Sequence, residues 1–131
     1  MKGARDYAIQ SVLLQTGRRE QEVATLRWQH VSIHNGKARL TFKHTKGGEV
    51  MQDDVPTSVT NALLRWLHKW YGAEIGTLAP DAPLWVSLAH DASYGQPLGY
   101  QSLNAFCKKH LGTSKLHATR MHIQWKSLGQ V

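Results

Sequence analysis

One cysteine, Cys107, is all that the 131 residues contain, so no intrachain disulfide can form and a reducing compartment suits the chain best. Long hydrophobic runs are also missing: no stretch approaches the ~18 to 20 consecutive apolar residues of a membrane span. The opening "MKGARDYAIQ" lacks the apolar core of a signal peptide. These absences predict a cytoplasmic protein with no membrane partner. Acidic residues are scarce, nine against sixteen Lys and Arg, which leaves a net charge of +7. Such an excess favours a polyanionic partner, nucleic acid being the commonest for soluble chains, while the plain alternative is charge that serves solubility. Repeats, low-complexity tracts and an obvious linker are absent, and a chain of this length holds one core and not two, so residues 1–131 are read as a single domain. A hydrophobic fraction of 41% with five Trp excludes a disordered chain.

The apolar residues that are present fall into distinct periods. From Ala4 to Thr16, Ala8, Ile9, Val12 and Leu13 recur at helical spacing until Gly17 breaks the run. From Arg19 or Glu20 to Trp28 a second short helix is predicted, with Val23 and Leu26 on one side and Glu20 and Glu22 near its positive end. "VSIHNGKARLTFKH" alternates Val31 and Ile33, then Ala38, Leu40 and Phe42, about an Asn35-Gly36 pair suited to a type I′ turn. After "TKGG", "EVMQDDVP" reads as a third strand ended by Pro56, giving a small antiparallel sheet. Thr57 or Ser58 is then expected to cap a long helix with a stripe of Leu63, Leu64, Leu67 and Trp70. Residues 72–83 read as loop, "LWVSLA" as a short apolar run of undecided type, and Tyr100 to Leu111 as helix. The predicted class is α+β and mainly helical, with a three-stranded antiparallel sheet.

Polar residues gather at the junctions of these elements. Arg18 and Arg19 occupy a turn between two helices, where a guanidinium can be aimed into a cleft. Lys46 lies beside two glycines that permit close approach of a ligand. His117 and Arg120 stand one helical turn apart. Each has an ordinary structural reading when taken singly: Arg19 as a surface charge or partner of Glu22, Lys46 as an exposed turn lysine, His117 as a cap or a satisfied core histidine. Eight histidines invite a metal reading, but His30 and His34 lie about a strand, His117 and His122 miss one helical face, and no Cys pair supports them; no metal is expected. The tryptophans read mostly as core, with base stacking the lesser reading.

Taken together, these residues resemble the catalytic domain of the tyrosine recombinases, the phage integrase family. "RDYAIQSVLLQTGRREQEVATLRWQHV" is similar to that family's first box, a helix ending in Thr-Gly-x-Arg, then an acid, then Leu-x-Trp. The match implies Arg19 as the first catalytic arginine and Glu22 as the acid that supports it. "TKGGEVMQDDVP" resembles the segment of the catalytic lysine, which implies Lys46; "LHATR" resembles the start of the His-x-x-Arg box, which implies His117 and Arg120. The family's fold, an integrase-type catalytic domain, and its reaction, DNA strand cleavage and rejoining through a phosphotyrosine, are the corresponding expectations. The expected partners are double-stranded DNA and other recombinase protomers, with no small-molecule cofactor.

The residue types suit that reaction. Planar arginines clamp the nonbridging oxygens on which negative charge builds, a lysine donates a proton to the leaving 5′ oxygen, and a histidine donates a hydrogen bond or shuttles a proton. Several positions depart from the pattern. Met121 stands where the family usually has a histidine, and Arg18 and Gln21 are unusual in the first box. Tyr7, Tyr71, Tyr94 and Tyr100 all precede the second box, whereas the family's nucleophilic tyrosine follows it. The chain is therefore expected to be a partial domain, truncated ahead of that tyrosine, and the alternative reading is a catalytically inactive DNA-binding remnant or interaction module.

Overall fold

The computed structural model describes residues 1–43 and 48–110. Helix α1 spans Lys2–Thr16, and Gly17 ends it in the left-handed conformation at φ 66°, donating its N–H to the Leu13 carbonyl at 2.9 Å. Ala8, Ile9, Val12 and Leu13 form its inner face and are wholly buried. Arg5 and Asp6 are buried as well. Arg5 bonds Asp6 through Nε and Nη2, and its Nη1 reaches the Val86 carbonyl at 3.1 Å, so a charged pair sits where the apolar stripe has stopped.

Helix α2, Glu20–Ala24, is shorter than its periodicity predicts. The N–H groups of Trp28 and Gln29, which would have continued it, donate instead to the carbonyls of Ala82 and Pro80, both at 2.8 Å. Trp28–His30 consequently forms a short 3₁₀ turn. Three strands follow: β1 (Val31–His34), β2 (Lys37–Phe42) and β3 (Met51–Asp54), antiparallel in the order β1-β2-β3. Asn35 and Gly36 take φ of 54° and 75°, the backbone that the type I′ turn demands. Ala38, Leu40 and Phe42 face the core as their alternation predicts, but Ile33 on β1 is exposed.

Helix α3, Thr57–Tyr71, packs against α1 and presents Val59, Leu63, Trp66 and Leu67 to the core. Its N-cap is Pro56 and not Thr57 or Ser58, whose side chains make no capping bond. The predicted stripe is rotated: Leu64 and Trp70 are half-buried, whereas Trp66 and Leu67 are fully covered. The loop expected over 72–83 includes a 3₁₀ turn at Gly72–Thr77.

The undecided segment "LWVSLA" is extended. Leu84, Trp85 and Val86 are buried, and Val86 bridges to Pro97 across a turn closed by Ser87 and Gly95. Three aromatic donors hold this segment: Trp66 Nε1 to the Leu84 carbonyl, Tyr71 Oη to that of Pro83, and Trp85 Nε1 to that of Val23, at 2.7, 2.7 and 2.8 Å. The last of these ties the segment to α2. Helix α4, Tyr100–His110, completes the described residues, with Leu103 buried and the helix packed on α2. The class is α+β, as the sequence predicts.

Candidate functional site

The turn between α1 and α2 is built by local chemistry. Gly17 reverses the chain, and the Arg18 N–H then donates to Thr16 Oγ1 at 3.2 Å. Arg19 is the N-cap of α2, with extended backbone at φ −69° and ψ 151°. An arginine side chain has no acceptor to offer the helix N–H groups, so the cap is half a capping box: Glu22, at the third helical position, accepts the Arg19 N–H on Oε1 at 3.2 Å. Glu22 is buried, and Arg19 is exposed. The acid therefore supports Arg19 through its backbone and leaves the guanidinium facing solvent.

The neighbouring arginine does the opposite. Arg18 reaches across to β3, where its Nε donates to Asp53 Oδ2 at 2.7 Å and its Nη2 to Oδ1 at 2.9 Å. Its guanidinium carbon also lies 5.2 Å from the centre of the Phe42 ring. The hydrogen bonds to Asp53 raise the Arg18 pKa above its already high ordinary value, so this charge is permanent. Of the two arginines at the turn, the structure sends Arg18 into the fold and leaves Arg19 exposed.

The Arg18–Asp53 pair is the feature that motif reading missed. A signal for it exists in the strand period: Asp53 stands opposite the buried Leu40 in register, on the core side of an edge strand. An inward carboxylate at that place requires a cation. The next acid, Asp54, points the other way and pairs with exposed Arg39, whose hydrogen bond holds the Asp54 carboxyl below its ordinary range.

Of the remaining predicted site residues, Lys46, His117 and Arg120 lie outside the described residues. Three tyrosines have described side chains. Tyr71 is half-buried, and burial raises its phenol pKa, with Arg27 opposing. Tyr94 is exposed but stands edge-on to Trp70 with ring centres 5.5 Å apart. Tyr7 is exposed beside Arg65 and Lys69 in a groove of about 440 Å³ between α1 and α3. Among the described residues there is no cluster of three metal-ligating side chains and no helix long and apolar enough to cross a membrane.

Comparison with known proteins places this geometry in a lineage. No curated protein matches the chain. A structure of the XerH site-specific recombinase bound to difH substrate, a pre-cleavage complex, is similar to it with a TM-score of 0.58 and 16% identity, over 95% of this chain and 36% of that one. A post-cleavage complex of XerH with palindromic difH substrate matches at a TM-score of 0.44 and 16% identity, over 97% of this chain and 44% of that one. The first likeness is one of fold, and the chain spans little more than a third of that recombinase's length. The profile of the Phage integrase family matches residues 1–124, running through the Arg19 turn, the three strands and all four described helices, and the chain belongs to that family.

Proposed function

We propose that this chain supplies the phosphate-clamping part of a DNA strand-cleaving and rejoining catalytic domain, with Arg19 and Arg120 on the nonbridging oxygens, Lys46 as the proton donor to the leaving oxygen and His117 as a hydrogen-bond donor or proton shuttle. The observation that carries this reading is the extent of the family match, which runs to residue 124 and so includes all four positions. The exposed Arg19 side chain supports it, since a clamp needs a guanidinium that is not already spent inside the fold. The similar XerH site-specific recombinase, bound to its difH substrate, and the net charge of +7 agree with a duplex DNA partner.

Clamping lowers a barrier only for a nucleophile held in line with the phosphorus. Tyr71 is a poor one, because its hydroxyl donates to the Pro83 carbonyl and burial disfavours its phenolate. Tyr7, Tyr94 and Tyr100, like Tyr71, precede the His117 box. The reaction then draws its tyrosine from outside these 131 residues, and a polypeptide of this sequence is expected to bind DNA without becoming joined to it.

Two measurements test the reading. Fluorescence anisotropy on duplex DNA should give an affinity that falls steeply with salt, and Arg19→Ala should weaken binding to all sequences alike and reduce the salt slope by about 1. Binding that is independent of salt, or unaffected by Arg19→Ala, would overturn it. On a nicked suicide substrate the polypeptide alone should give no covalent adduct on a denaturing gel, and cleavage should appear only with a partner that carries the tyrosine. No cleavage in that mixture, with DNA binding intact, would favour a DNA-binding module that does not cut.

A further inference from the structure

We infer that Arg18 is a positioning residue for Arg19, and that its pairing with Asp53 sets the direction of the neighbouring guanidinium. This rests on the reading of Arg19 as a phosphate clamp.

The geometry is specific. The Arg18–Asp53 pair is bidentate, with side-chain exposures of 20% and 27%, while the Arg39–Asp54 pair beside it is 46% and 63% exposed, with one bond of 2.7 Å and a second stretched to 3.5 Å. Exposed pairs of the second kind contribute little. The half-buried fork of Arg18, with its guanidinium carbon 5.2 Å from the Phe42 ring centre, is held by two parallel bonds in one orientation. Lysine can satisfy the charge at such a place but not both oxygens and the ring together.

Arg19 follows Arg18 directly, and its own guanidinium is exposed, so its direction depends on the backbone beneath it. Besides the α2 bond from the Val23 N–H to the Arg19 carbonyl, that backbone is held by the Gly17 N–H on Leu13, the Arg18 N–H on Thr16, the Arg19 N–H on Glu22, and the Arg18 side chain on Asp53. The first three are local to the helix ends. The fourth reaches across the fold, to the strand β3 that with β2 flanks Lys46 in the sequence. Arg18 commits its Nε and Nη2 to the two oxygens of Asp53 and holds its guanidinium carbon 5.2 Å from the centre of the Phe42 ring, so the role assigned to it is to act on a phosphate through Arg19.

A double-mutant cycle in DNA binding tests this, read by anisotropy well below the melting temperature. Arg18→Lys keeps the net charge and breaks the fork; it should weaken duplex binding about fivefold in the native background, within the range of one charge-assisted hydrogen bond. In the Arg19→Ala background it should change affinity less than twofold. Asp53→Asn provides a readout of opposite sign. It removes a negative charge, so electrostatics alone predicts tighter binding, whereas loss of positioning predicts weaker binding that vanishes without Arg19. Equal losses in both backgrounds, or tighter binding by Asp53→Asn, would overturn the inference. Should Asp53→Asn fail to fold, the Arg18→Lys cycle decides alone. If Arg19→Ala leaves affinity unchanged, the clamp reading fails, and positioning is then judged from the Arg19 Nε–H resonance in an NMR spectrum: a shift on Arg18→Lys supports it, and an unmoved peak sinks it.

Discussion

Thr60 joins the sheet to α3, and replacing it with valine isolates one hydrogen bond. Its hydroxyl accepts the Ala38 N–H at 2.8 Å and donates to the Pro56 carbonyl at 3.1 Å, with both Thr60 and Ala38 only 1% exposed. The arrangement follows from topology. Strand β3 has ended by Val55, whose N–H still reaches the Ala38 carbonyl, so the Ala38 N–H turns to the first turn of α3 for its acceptor. Valine keeps the β-branched shape and a similar helix propensity. Pro56 keeps a donor, because the Thr60 backbone N–H also reaches its carbonyl at 3.0 Å. The cost is then mainly a buried N–H without a partner, about 1–3 kcal/mol, and ~2 kcal/mol in a chain of this size lowers the melting temperature by about 7 °C. Thr60→Ser retains the hydroxyl and loses a methyl, at a cost of about 0.8 kcal/mol. Urea unfolding followed by tryptophan fluorescence should therefore rank valine as more damaging than serine, with unchanged m-values. The reverse order, serine worse than valine, would refute the hydrogen-bond account and leave packing as the stronger term.

Two further perturbations follow from the sheet. Gly36→Ala meets no steric neighbour within 4 Å but must adopt φ 75°, so it should destabilise by about 1 kcal/mol in the same unfolding assay, and a neutral result would contradict the type I′ turn. Asp54 is held below its ordinary pKa chiefly by the hydrogen bond from Arg39; a carboxyl depressed on folding stabilises above its unfolded value, and that contribution is lost as pH falls through the folded value. Asp54→Asn should accordingly narrow the difference in melting temperature between pH 7 and pH 3, and an unchanged difference would count against the pairing.

Local signals carried the site as far as its motif. The Gly17 break and the start of α2 beside Arg19, with Glu20 and Glu22 in its first turn, are legible because left-handed backbone and the helix dipole depend on a few adjacent residues. Lys46, His117 and Arg120 come from the resemblance of their segments to the family's motifs. What a motif does not carry is direction, and Arg18 and Arg19 are the case in point: adjacent, alike in chemistry, and sent to opposite environments by an acid on β3.

Much of the architecture was determined by sequence alone. Helix α1 follows from the apolar period that ends at Gly17, the hairpin from Asn35-Gly36 between alternating strands, and α3 from its leucine-rich stripe, since each is a preference summed over neighbours in the chain. Tertiary structure decided the rest. Helix α2 stops at Ala24 because distant carbonyls take the N–H groups of Trp28 and Gln29; residues 84–86 are extended because three aromatic donors hold 83–85; and Arg5 is buried because Val86 accepts its third bond. In each of these the partner lies at least 12 residues away, and a donor or carboxylate removed from water takes whichever partner the packing brings to it, a choice that no local window of sequence contains.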